Sequence, residues 1–68
     1  MDDLPTLSPD DLVRRCGGRR RDVIAVFASF DEPLTRAALS HWFRKTGAVP
    51  AQRVRQLRRN RPDILEGL

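Results

Sequence analysis

The stretch from Leu34 to Lys45 reads L-T-R-A-A-L-S-H-W-F-R-K, and how it winds decides how the rest of the chain must be assembled. As an α-helix it sets Leu34, Ala38, Leu39, Trp42 and Phe43 at i, i+4, i+5, i+8 and i+9, one apolar stripe of the kind that packs against other helices. The other positions, Thr35, Arg36, Ala37, Ser40, His41, Arg44 and Lys45, combine short side chains near the start with hydrogen-bonding and cationic groups further on. Such a face can lie close to a nucleic-acid groove, so this segment is predicted to be a recognition helix anchored by its stripe. Its first residue is open: Pro33 could begin the helix, or Thr35 could cap it with Arg36 and Ala37 opening the first turn.

Working towards the N-terminus, Asp31-Glu32-Pro33 interrupts the helical pattern, because proline removes a backbone donor and disfavours a helical residue before it. Arg19 to Phe30 then reads as a second helix, with Val23, Val26, Phe27 and Phe30 at i, i+3, i+4 and i+7 and Ile24 beside them. It begins with Arg19, Arg20 and Arg21. Cations at a helix start oppose the macrodipole, which makes these three either phosphate contacts or plain surface charge. Gly17-Gly18 terminates a short first helix, which opens at Ser8-Pro9-Asp10-Asp11: a hydroxyl cap, proline in the first turn, and two carboxylates at the positive end. Leu12 and Val13 point inward from it, and residues 1–7 are expected to be flexible.

Towards the C-terminus, Thr46-Gly47 stops the recognition helix and Val49-Pro50-Ala51 opens another. Val54 and Leu57 lie on its inner side, with Arg53, Arg55, Arg58 and Arg59 mostly outside, and Asn60-Arg61-Pro62 ends it. The tail, residues 62–68, is apolar enough to dock on its own core or on a second copy of the chain. No strand pattern is present, so the chain is predicted to be all-α, a single domain over residues 1–68 with four to five helices. The order of its elements is the helix-turn-helix arrangement of small DNA-binding domains.

Charge points the same way. The 68 residues carry a net charge of +4 with a pI near 11, yet between Arg14 and Arg61 lie 13 Lys/Arg against three acids, Asp22, Asp31 and Glu32, a local balance of +10. Charge concentrated to this degree favours a polyanion over a neutral metabolite. The apolar runs are far shorter than the roughly 20 residues a bilayer requires. The N-terminus, M-D-D-L-P-T-L-S, lacks the basic and apolar regions of a secretion signal, which leads us to expect a cytoplasmic, nucleoid-associated protein. Catalysis is not expected: nothing brings Cys16 to the single histidine, His41, with a third orienting group, and the early aspartates are explained as caps. One cysteine and one histidine are too few for a structural zinc, and neither a cofactor nor a small-molecule ligand is indicated. Trp42 and the phenylalanines, at helical spacing, read as core rather than as stacking platforms for single strands.

T-R-A-A-L-S-H-W at Thr35 to Trp42, then V-P-A-Q-R-V at Val49 to Val54 and R-P-D-I-L at Arg61 to Leu65, resembles the Cro-type phage repressors and their YdaS-like relatives. In that family the recognition helix ends in a serine, a variable residue and a tryptophan, and the next helix opens at a proline. D-D-L-V-R-R-C-G-G at Asp10 to Gly18 is similar to the family's first helix and glycine stop, so the resemblance spans roughly residues 10 to 65. It departs at Phe27 to Leu34, where the family's tight, glycine-centred turn is replaced by a longer glycine-free connection. The resemblance implies a lambda-repressor/Cro-like fold and a sequence-specific regulator of transcription, a repressor, that reads double-stranded DNA in the major groove. Arg36, Ala37 and His41 would face the bases, with Arg36 suited to guanine and Ala37 to a thymine methyl. Thr35 and Ser40 would lie nearer the backbone, joined there by Arg19, Arg20, Arg21, Arg44, Lys45 and Arg53. A homodimer on two half-sites is expected, because one such helix reads only a few base pairs, with the contact placed at Ile64, Leu65 and Leu68. An adaptor that uses the same helices to bind a protein such as a polymerase or a toxin is the alternative, and RNA binding is a third.

Overall fold

The computed structural model describes residues 4–68, and all of its regular structure is helical: α1 (Pro9–Cys16), α2 (Arg20–Ala28), α3 (Arg36–His41) running on into a π-helical turn (Trp42–Thr46), α4 (Ala51–Asn60) and a 3-10 turn (Pro62–Leu65). Among the described residues no helix is long and apolar enough to cross a membrane.

Local chemistry sets most of these ends. The Ser8 hydroxyl accepts the Asp11 N–H at 3.1 Å, and Pro9, Asp10 and Asp11 fill the first turn of α1. Gly17 closes that helix at φ +143°, a conformation L side chains rarely adopt, and its bareness serves the next helix as well. A Cβ on Gly17 would lie 2.6 Å from the Asp22 carboxylate, which accepts the Arg19 N–H at 3.2 Å and so caps the start of α2. α2 is therefore shorter than the Arg19 to Phe30 expected from its pattern. Arg19 is its cap, and Phe30 has left the helix while staying in the core. At α3 the ambiguity resolves in favour of Thr35, whose hydroxyl accepts the Ala38 N–H at 3.1 Å. Leu34, expected on the helical stripe, precedes the helix and is nonetheless buried.

The end of α3 departs from the α pattern. The Gly47 N–H reaches back five residues to the Trp42 carbonyl at 2.8 Å, with Gly47 left-handed at φ +68°. This wide turn advances each residue by a smaller angle than an α turn does. Val49 then donates its N–H to the Leu7 carbonyl at 2.8 Å, and Leu7 is among the most deeply buried side chains. The expectation that residues 1–7 are flexible is corrected there: Leu7 is core, held by a backbone bond that no local pattern signals. Met1 to Asp3 lie outside the described residues.

The core is wholly apolar. Phe27 sits at its centre, edge-on to Phe30 at 5.0 Å and to Trp42 at 6.4 Å between ring centroids. Leu12 from α1, Val54 and Leu57 from α4, and Ile64 from the tail close around them, and α1 packs against α2, the π turn and the 3-10 turn. Of the two fates open to the tail, Ile64 takes the intramolecular one, and Arg15 fastens it by donating to the carbonyls of Ile64 and Glu66. Leu68 stays 48% exposed.

Because Trp42 is buried against Phe27, Trp42→Ala is expected to destabilise the fold by roughly 3–5 kcal/mol, a large share of what so small a domain has. Denaturant unfolding followed by circular dichroism measures it. A Trp42→Ala chain that unfolds at the parental midpoint would show that the ring is not part of the core.

Candidate nucleic-acid interface

On α3 the residues turned away from the core are Arg36, Ala37 and His41, all exposed, with Ser40 half-buried beside them. Positions 36, 37, 40 and 41 share one side of a helix, so the structure brings the three expected base-facing residues to a common surface. Thr35 is exposed at its foot, with its hydroxyl oxygen occupied as the cap. Arg44 and Lys45 extend this face as exposed residues of the π turn.

The first turn of α2 meets this surface. Arg20, Arg21 and Ile24 from α2 face Arg36, Leu39 and Ser40 from α3 across a groove of about 230 Å³. Three arginines and a serine thus line the groove together with the apolar Ile24 and Leu39. Arg19 is exposed at the cap of α2, adjoining the groove in sequence but not lining it.

Ion pairing separates the cations into two populations. Arg14 and Arg15 pair with Asp11 at 3.2 and 3.1 Å, and Arg61 pairs with Asp63 at 3.1 Å. The Arg61 hydrogen bond holds the Asp63 carboxyl below its usual range. Arg21, Arg36, Arg44 and Lys45, by contrast, have no ion pair or hydrogen bond through their side chains with the described residues. Exposed pairs contribute little stability. Their consequence here is spatial: the acids neutralise cations of α1 and the tail, leaving those of α2 and α3 available to an anion.

Arg53 does not belong with them. Its Nη1 donates to the Glu32 carbonyl and to Gln56 Oε1, the latter at 2.9 Å, and its guanidinium lies 5.4 Å from the centre of the Phe27 ring. Gln52 adds a 2.8 Å bond to the Glu32 carboxylate. Expected as a backbone contact on the outer side of its helix, Arg53 is instead half-buried and braces the 29–35 connection against α4. Phe43, expected on the apolar stripe of α3, packs against the edge of the core. It is half-buried, and the Arg20 guanidinium lies over its ring at 4.3 Å from the centroid.

Among the described residues no three His, Cys, Asp or Glu side chains gather where they could hold a metal ion. Cys16 lies at the end of α1 and His41 on the exposed side of α3. Burial pushes the Cys16 thiol up to about 11, against the opposing effect of Arg61 and with further help from Asp22 and Asp63, so it is protonated at neutral pH and a poor nucleophile. No protein-family model, curated protein or solved structure matches the chain.

Two outcomes follow from these placements. The folded thiol ionises at higher pH than an unfolded one, so its contribution to stability is complete below about pH 8.5 and is lost as pH rises towards 11. The chain contains no tyrosine to titrate in that window. Denaturation midpoints should fall between pH 9 and 11 in the parent and stay flatter in Cys16→Ala; parallel profiles would contradict the burial of the thiol. Arg53→Ala is expected to lower stability by about 1–3 kcal/mol while leaving the salt dependence of any DNA binding unchanged. A reduced salt slope in that variant would return Arg53 to the interface.

Proposed function

We propose that the chain is a sequence-specific double-stranded DNA-binding regulator of transcription, a Cro-like repressor in which α2 and α3 form the helix-turn-helix pair. The observation that carries this reading is the convergence of Arg20 and Arg21 with Arg36 and Ser40 on one groove, beside an exposed α3 surface whose cations no acid neutralises. Arginines at the start of α2 suit phosphates, which position the protein, while Arg36, Ala37 and His41 suit base edges, which specify the site. The 29–35 connection is longer than the tight turn of the family the sequence resembles. Its bracing by Arg53 and Gln52 gives the two helices a fixed relation despite that length.

Binding as a dimer on a two-fold site belongs to the same proposal, since a single short reading helix spans few base pairs. Ile64 is committed to its own core, so a contact in the tail would fall to Leu65 and Leu68, which with Leu4, Pro5 and Pro62 line a shallow cavity of about 490 Å³. Inverted symmetry in the selected site and two copies per duplex are the expected signatures; one copy on an asymmetric site would remove the dimer while leaving the reader in place.

Selection of bound sites from a random duplex pool, followed by gel-shift competition at rising salt, tests the function. A regulator retains its selected site after nonspecific binding has faded, whereas an adaptor with incidental affinity loses all duplexes together. Arg36→Ala should cost about 1–3 kcal/mol on the selected site and little on random duplex, and Arg21→Ala should weaken both alike and lower the salt slope by about one. An unchanged ratio of specific to random affinity in Arg36→Ala would show that α3 is not the reader.

A further inference from the structure

Phe43 is the one phenylalanine that the core does not bury, and Arg20 covers its open face. A cation in the first turn of α2 sits against the positive end of the helix dipole, so Arg20 needs something else to hold it there. The face of an aromatic ring supplies it: the electron-rich face attracts a guanidinium within about 6 Å, and Arg20 lies 4.3 Å from the centre of Phe43. A guanidinium stacked flat on a ring uses its face for the contact and keeps the N–H groups of its edge free.

The backbone is arranged to put the ring there. Phe43 follows Leu39 by four residues, and Leu39 lines the groove opposite Arg20 and Arg21. Phe43 therefore shares the helical face of Leu39 and looks toward the start of α2, while Trp42 remains against Phe27.

We infer that Phe43 is a positioning residue beside the groove: its ring holds the Arg20 guanidinium in place, so that the N–H groups are presented to a phosphate of the DNA backbone. This rests on the DNA-binding reading above. Phe43 touches no phosphate itself; it acts through Arg20.

Random duplex DNA and the full chain test the inference, with Phe43→Leu chosen because leucine keeps the apolar contact with the core and removes the ring face. Phe43→Leu should weaken binding by about two- to fivefold and lower the salt slope by about one, matching Arg20→Ala. Introduced into an Arg20→Ala chain it should have no further effect, and Phe43→Tyr should bind like the parent. Equal losses from Phe43→Leu in both backgrounds, or an unchanged salt slope, would overturn the proposal. The side-chain proton resonances of Arg20 test the pair without DNA. They should be shifted upfield by the ring current in the free protein and return to ordinary positions in Phe43→Leu. Unshifted resonances in the parent would reject the pairing whatever the DNA result, whereas shifted resonances in a chain that binds no duplex would reject the DNA reading and with it the role inferred for Phe43.

Discussion

The contact of Phe27 with Trp42 is the interaction on which the rest of the structure depends. Phe27 belongs to α2 and Trp42 to the junction of α3 with its π turn, and their rings meet edge-on at 6.4 Å. Phe30 joins from the connection between those helices, and the Arg53 guanidinium of α4 lies near the same ring. Three other segments therefore converge on this one side chain of α2. In a domain of 68 residues there is no second core to share this burden, so the relation of α2 to α3, and with it the shape of the groove between them, follows from how the aromatic residues pack.

That dependence accounts for the connection from Ser29 to Thr35. A tight turn can impose an angle between two helices through its own backbone, whereas seven residues without a glycine cannot. Here the angle is imposed from outside. Phe30 and Leu34 are buried at either end of the segment, and between them Glu32 is held through its carbonyl by Arg53 and through its carboxylate by Gln52. The longer connection is thus a braced segment, and an arginine that composition alone would assign to the charged surface serves as the brace.

The arrangement of charge obeys a related economy. Carboxylates sit where they cap helices or pair with cations of α1 and the tail, as Asp11, Asp22 and Asp63 do. None of these pairs adds much to stability in solvent. Their effect is to leave Arg21 of α2 and Arg36 of α3 without an acidic partner among the described residues, while the Arg20 guanidinium lies over the ring of Phe43. Stability and the proposed recognition then draw on different residues: apolar groups hold the fold, and the cations that the acids leave alone form the surface.

Features that act within a turn or two are legible in the residues alone. Ser8, Gly17, Thr35, Gly47 and Pro50 mark helix ends because a cap, a left-handed residue or a missing donor works on its immediate neighbours, and the spacing of Val23, Phe27, Leu39, Trp42, Val54 and Leu57 identifies inner faces because helical geometry repeats. The exposed character of Arg36, Ala37 and His41 followed from the same periodicity. Leu7, Ile64, Arg53 and Phe43 were decided only by the tertiary structure. Leu7 is core because Val49 comes to its carbonyl, Ile64 because α1 offers Arg15 to hold the tail, and Arg53 is drawn inward because Glu32 and Phe27 arrive beside it. Phe43 meets a guanidinium because Arg20, from another helix, arrives over its ring. Each of these depends on partners distant in the chain, which leave no mark in the local pattern of residues.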